Sequence, residues 1–137
     1  MAEQLQFELV SPERLLLSRA VEMAVVPGVE GDFGALAGHA AFLAMLRPGV
    51  IAVYEAGQVS ERIFVAGGFA EVTGEGCTVL AEEAMRIAEI DRAGVETGLE
   101  HAREDLADAK NDAGRAAAEA RIAVGEAKLA ALAGTPY

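Results

Sequence analysis

Apolar and polar residues alternate through the first two-thirds of the chain, and the alternation breaks every few positions at a turn. Leu5, Phe7 and Leu9 interleave with Gln6 and Glu8, the period of a half-buried strand. The runs LQFELV, RLLLSRA, VEMAVVP, GVIAVYE, RIFVAGG, FAEVTG and CTVLAEE are all short and apolar-rich. SPE, PGVEGDFG, RPG, EAGQ, AGG and GEGC punctuate them. Short strands at this spacing predict a sandwich or barrel. EAGQ at 55–58 and TGEG at 73–76 are the best hairpin turns, since glycine takes positive φ at little cost.

Near residue 87 the grammar changes. Glycine and proline thin out, and alanine takes over with Glu, Arg and Lys. Val95, Leu99, Ala102, Leu106, Ala109 and Ala113 step by four and three, as do Ala118, Ile122, Gly125, Leu129 and Leu132. Each set draws a narrow apolar seam along one helix. KNDAGR between them reads as a loop, with Asn111 or Asp112 capping the second helix and Asp91 placed to cap or charge-stabilise the first. The expectation is a β-sandwich over residues 1–87 and an antiparallel helical hairpin over 88–137. Alanine and glycine bury little area, and isolated short helices are marginal in water. The hairpin must therefore lean on the sandwich or on a partner.

Charge and composition narrow the function. The 137 residues carry a formal net charge of −11, which opposes binding to nucleic acid or to an anionic lipid surface. No run of eighteen apolar residues is present, and the start MAEQLQFELV lacks the regions of a signal peptide. The one cysteine, Cys77, lies in the apolar run GCTVLA and reads as a core residue in a reducing compartment.

The segment GVEGDFGALAGHAAFLAMLRPGV, residues 28–50, invites a phosphate-loop reading that its details refuse. No lysine and hydroxyl follow its glycines as a phosphate loop requires, GVEGDFG has the wrong dinucleotide spacing, and Glu30 and Asp32 would repel phosphate. His39 and His101 stand in different halves, and no serine is framed as GxSxG. Glu30, Asp32 and His39 could supply three metal ligands but lack an evident second shell. Glu82 and Glu83 are adjacent, so in a strand they point to opposite faces and cannot act as a pair. No cofactor or metal is expected. Two readings remain from the residues alone. The segment displays two acids at its tip with Phe33, Leu36, Phe42 and Leu43 beside them, or it is an ordinary strand connection with its aromatics in the core.

At these residues a resemblance enters. VSPERLLLS, PGVEGDFGALAGHAAFLAMLRPGVI, FVAGGFAEV and VLAEEA resemble, in that order, the epsilon subunits of bacterial F-type ATP synthases, whose mitochondrial counterpart is called delta. The match spans roughly residues 5–86, and EGDFGALAGHA is its most specific part. The C-terminal half agrees in type more than in residue detail. The resemblance implies a flattened sandwich of about ten strands followed by two helices. It implies a non-catalytic rotor subunit that sits with gamma on the c-ring and turns with it, at the cytoplasmic face of the bacterial inner membrane. It implies that Glu30, Gly31, Asp32, Phe33, His39 and Phe42 face arginine-bearing c-ring loops, with Asp32 at the family's acidic contact. A partly buried charge-assisted pair there is worth ~1.5–3 kcal/mol.

The sequence departs from the family pattern in two places. Ala37, Ala41 and Phe42 replace the usual proline, proline and leucine around His39, which implies a less rigid loop with more apolar area. In the family's ATP-binding motif Ile90, Asp91, Ala102 and Leu106 match. Gly94, His101 and Asp105 stand where three arginines belong, and Gly98 replaces an alanine. Weak or absent ATP binding is expected. Relatives swing the helical hairpin up along gamma to restrain hydrolysis at the alpha/beta head. Arg115, Arg121 and Lys128 are the candidates for those contacts here. Residues 88–137 nevertheless sum to −4 (six bases, ten acids) against −7 for 1–87 (five bases, twelve acids). The alternatives are a small hydrolase or nucleotide-binding enzyme, and a generic adaptor sandwich for a basic partner.

Overall fold

The computed structural model describes residues 4–134. Ten strands come first: β1 (Leu5–Val10), β2 (Leu15–Val21), β3 (Met23–Gly28), β4 (Gly31–Ala35), β5 (Phe42–Leu46), β6 (Gly49–Glu55), β7 (Gln58–Val65), β8 (Gly68–Val72), β9 (Gly76–Ala81) and β10 (Ala84–Arg86). A single 3-10 turn at Ile87–Glu89 leads into α1 (Arg92–Asp108) and α2 (Asp112–Leu132). The strands form one continuous sheet in the order β10-β7-β6-β3-β5-β8-β9-β1-β2, with β4 paired to β3, wrapped into a sandwich. All pairings are antiparallel except β1 with β9, which run parallel from Gln6↔Gly76 to Val10↔Leu80. This exception to the expected antiparallel sandwich brings the first strand back beside the ninth.

The inward rows fill one core. Leu5, Phe7 and Leu9 are fully buried, as are Val26, Val53, Ile63, Val65, Val72 and Val79. Cys77 joins them, and burial pushes its thiol up to about 12, so it is inert as a nucleophile near neutral pH. The apolar run of β6 does not alternate, because Val50, Ile51, Ala52 and Val53 are all buried. Ile51 and Val53 face the sandwich core, whereas Val50 belongs to a second cluster with Phe64, Ile90 and Ala131. That second cluster lies beneath the helices.

The two ends of the sheet, β2 and β10, meet through side chains rather than a backbone ladder. Arg86 on β10 donates to the Leu16 carbonyl of β2 (3.5 Å) and to Glu61 (3.2 Å). Arg19 on β2 reaches Glu55 (2.5 Å) and Glu61 (3.4 Å), and Arg14 just before β2 pairs with Glu89 (3.2 Å). The guanidinium of Arg19 holds the Glu55 carboxyl below the usual carboxylate range and is itself raised by that bond. The Arg86 backbone N–H and then Arg14 lower Glu89 in the same way.

Several expectations need correction. The segment 28–50 is not one loop, for it contains β4 and β5. Its two carboxylates do not share the tip: the tip is Val29–Glu30, and Asp32 sits in β4 opposite Pro27. The first helical seam ends early, since α1 stops at Asp108 and Ala113 is an exposed residue of α2. Residues 112–115 of KNDAGR are helical, and the loop is only 109–111. Asn111 is the cap, accepting from the Gly114 N–H at 2.8 Å. Asp91 occupies the N-cap position of α1, but its carboxylate accepts no capping bond there. Glu82 and Glu83 lie in the bend between β9 and β10, not in a strand.

The helices pack where the seams are thinnest. Leu99 and Ala102 of α1 and Ala118 and Gly125 of α2 are buried. A Cβ at Gly125 would stand 2.6 Å from Leu99 Cδ2, so glycine is what lets leucine fill the seam. α2 rests on the sandwich through Ala131, and Lys128 crosses the gap, pairing with Glu83 (3.0 Å) with its Nζ 5.7 Å from the Phe64 ring centre.

Candidate functional site

The β3–β4 turn starts from two glycines in register, Gly28↔Gly31. Gly31 has φ +138°, and a Cβ on Gly28 would fall 2.6 Å from the Gly31 carbonyl, so neither position takes a side chain without strain. The turn is anchored, since the Val29 N–H donates to the Met45 carbonyl at 2.8 Å. Glu30 projects from its tip and makes no hydrogen bond or ion pair among the described residues. Asp32 is engaged: its Oδ1 accepts from Nη2 of Arg47, whose Nη1 donates to the Gly28 carbonyl at 2.5 Å. The acid that the resemblance assigns to an outside cation thus already has an inside one.

The aromatic residues converge beside it. Phe33 and Phe42 meet edge to face with ring centres 5.1 Å apart, and the His39 ring lies 5.0 Å from Phe42. His39 Nδ1 is 3.0 Å from the Ala40 carbonyl, and the Gly38 N–H donates to the Gly74 carbonyl (2.8 Å), tying this segment to the β8–β9 turn. Glu30, Gly31, Asp32, Phe33, His39 and Phe42 all line one open groove of about 640 Å³, with Leu43 and Met45 on its other wall. Phe33 and Phe42 are partly buried, packing on the core while also lining the groove. Glu30, Asp32 and His39 do not form a group able to hold a metal among the described residues.

An apolar row that the alternation does not single out leads away from this groove. Met45↔Phe69, Phe69↔Leu80 and Leu80↔Val10 are register partners across four strands and face the same way, and Leu15 stands opposite Val10 across the irregularity that follows Leu9. Their outward face is open: Met45 is 61%, Phe69 36%, Leu80 42% and Leu15 58% exposed. The neighbouring inward row, Ala44–Ala70–Val79–Leu9–Leu17, belongs mostly to the core. The residues are visible in the sequence, but only the register aligns them. Arg47 also escapes sequence reasoning. The signal for it is a lone arginine before Pro-Gly in a half with five bases.

A second cleft, about 490 Å³, lies between the helical hairpin and the sandwich, and Ile90, Asp91, Gly94, Gly98, His101, Arg121 and Lys128 are among its lining. Ile90 and Ala102 are buried and Leu106 half-buried, so the matching motif residues other than Asp91 serve packing. The cations present are already matched, Arg121 by Asp105 (2.7 Å) and Lys128 by Glu83. Arg115 pairs with Asp112 at 2.8 Å. All three candidates for inhibitory contacts thus hold acids of their own subunit.

Comparison with known proteins agrees with this architecture. Residues 4–87 match the beta-sandwich domain of the ATP synthase delta/epsilon chain, and residues 91–136 match the C-terminal domain of the ATP synthase epsilon chain. The ATP synthase epsilon chain of Rhodospirillum rubrum is 54% identical over 131 residues, covering 96% of this chain and 98% of that one. The epsilon chain of Paramagnetospirillum magneticum is 53% identical over 133 residues, covering 97% and 100%. Among solved structures, a chain of the Euglena gracilis mitochondrial ATP synthase (OSCP/F1/c-ring, rotational state 1) superposes with a TM-score of 0.81 at 28% identity, covering 94% of this chain and 81% of that one. A chain from the central stalk and c-ring of the Tetrahymena thermophila mitochondrial ATP synthase shares the fold, with a TM-score of 0.73 at 17% identity over 95% and 97%. The chain belongs to the ATP synthase epsilon-chain family and is a non-catalytic central-stalk subunit of a rotary ATPase.

Proposed function

We propose that the sandwich, residues 1–87, couples rotation by docking the groove around Glu30, Asp32, Phe33, His39 and Phe42 onto the cationic loops of the c-ring. One observation carries this reading: an acid without a partner among the described residues stands on the rim of a groove floored by aromatic rings. The row Met45–Phe69–Leu80–Val10–Leu15 starts at the wall of that groove and is the face offered to gamma. Two contacts that share Met45 give a joint that resists slipping, because neither partner can turn about it alone. The subunit then works peripherally, at the cytoplasmic face of the bacterial inner membrane, held there by the complex. The helical hairpin rests on the sandwich and can restrain hydrolysis at the alpha/beta head only after Arg115, Arg121 and Lys128 leave their present acids.

The test is Glu30→Lys, a change at an exposed position that leaves the fold intact. The variant is expected to lose co-purification with the c-ring, and ATP synthesis in membranes should fall with it. Wild-type assembly and synthesis with Glu30→Lys would remove the docking assignment. Deleting residues 88–137 and finding ATP hydrolysis unchanged in the assembled enzyme would remove the regulatory one.

A further inference from the structure

We infer that Arg47 is a positioning residue of the docking face: it fixes the β3–β4 turn and orients Asp32 for the partner's cation, an inference that rests on the docking reading above. Arg47 grips the turn by three bonds. Its backbone N–H donates to the Pro27 carbonyl (3.0 Å), its Nη1 to the Gly28 carbonyl (2.5 Å) and its Nη2 to Asp32 Oδ1. The residues around it keep it there. Pro48 biases Arg47 toward extended backbone, and Gly49 lets the following strand close on Pro27, where a Cβ would stand 2.9 Å from the proline Cβ. From β5, Met45 holds Val29, its carbonyl accepting from the Val29 N–H. β5 and the corner after it thus hold the tip before any partner arrives.

The clamp divides the labour of the two acids. Oδ1 of Asp32 is committed to Arg47, whereas Oδ2 has no partner among the described residues. A guanidinium arriving from outside finds a carboxylate already turned and a free Glu30 beside it, with no side-chain entropy left to lose at Asp32. Only a planar fork can hold a carbonyl and a carboxylate together at fixed spacing. Lysine would keep the charge but not the geometry.

This role makes a prediction opposite in sign to simple attraction. Glu30, Asp32 and Arg47 sum to −1, and removing Arg47 leaves −2. Charge alone predicts tighter docking on a cationic ring after Arg47→Gln, whereas loss of positioning predicts weaker docking. The probe is the detergent-solubilised rotor of c-ring and gamma, stripped of this subunit and titrated with the labelled full-length protein. Melting of each variant and amide exchange at Val29 and Gly31 in the free subunit are measured alongside. Arg47→Gln is expected to dock about tenfold more weakly, with faster exchange at the tip and strand protection retained, and Arg47→Lys to recover part of both. Equal or tighter docking by Arg47→Gln overturns the inference, as does unaltered tip exchange. Should Arg47→Gln not fold, Arg47→Lys decides: faster tip exchange at wild-type melting supports the role, and wild-type exchange overturns it. The Glu30→Gln/Asp32→Asn variant separates the two levels. If it docks like wild type, the docking reading fails, while tip exchange in the free subunit still reports on the hold of Arg47.

Discussion

Lys128 is where the helical hairpin is most open to perturbation. Its side chain is 17% exposed, pairs at 3.0 Å with a half-exposed Glu83, and places Nζ 5.7 Å from the Phe64 ring centre. The ion pair is worth ~0.2–1 kcal/mol, since Glu83 remains in contact with water. The cation–π contact adds ~0.5–1 kcal/mol. Lys128→Met keeps an apolar stem and deletes both, so the docked state should lose ~0.7–2 kcal/mol, a factor of about 3–30 in the detachment equilibrium. Lys128→Ala also removes buried methylenes, at ~0.8 kcal/mol each where fully covered, and should lose more. The cluster between hairpin and sandwich has four buried members among the described residues, Val50, Phe64, Ile90 and Ala131, with partly buried neighbours around them. The hairpin should therefore open as a unit before the sandwich does. Hydrogen exchange read by mass spectrometry checks this. Peptides from α1 and α2 should exchange faster than those from β6 and β7 in the wild type. In Lys128→Met the helical peptides should speed up by about 3–30-fold while the strand peptides hold still. Helical amides as protected as the strand core, or helical exchange indifferent to Lys128→Met, would refute the argument.

Three further outcomes follow from local geometry. Ala56 has φ +53° beside Gly57 at +74° in the β6–β7 turn, so Ala56→Gly should raise the melting temperature by relieving ~1 kcal/mol of strain, and a lower melting temperature would contradict it. Glu55 and Glu89 have lowered pKa values, so their contribution is present above the ordinary carboxylate pKa and is lost as pH falls through the depressed folded values; denaturant midpoints should drop in that acid window, and Glu55→Gln with Glu89→Gln should flatten the drop. Calorimetric titration of the free subunit with ATP should give no micromolar binding, because Gly94, His101 and Asp105 supply no permanent cation and Arg121 and Lys128 are already paired.

Much of this architecture is legible before any coordinates, and the gaps have physical causes. The strands rich in Val, Leu and Phe announce themselves by alternation, and the helices by alanine and the four-three step. β4 and β5 do not, because GDFGA and FLAML are short and their glycines and alanines carry little periodic signal. The parallel pairing of β1 with β9 joins residues about seventy apart, which no local pattern encodes. The six residues of the candidate groove are legible because they lie within fifteen positions of one another and their types are unusual together. Arg47 is not, because its role depends on where the β5–β6 corner falls in space. The apolar row is hidden for the same reason. Met45, Phe69, Leu80 and Leu15 belong to four different strands, and only pairing makes them neighbours.

The stitched seam between β2 and β10 bears on mechanics. The shell closes there by guanidinium and carboxylate, and the helical arm springs from the same line, just past Arg86 and Glu89. A tug on the arm would be felt at the three-residue ladder of β10 with β7 on one side and, on the other, at side-chain bonds that break and reform singly. The root of the arm is therefore compliant while the barrel stays stiff, as a hinge pin is softer than the door it carries.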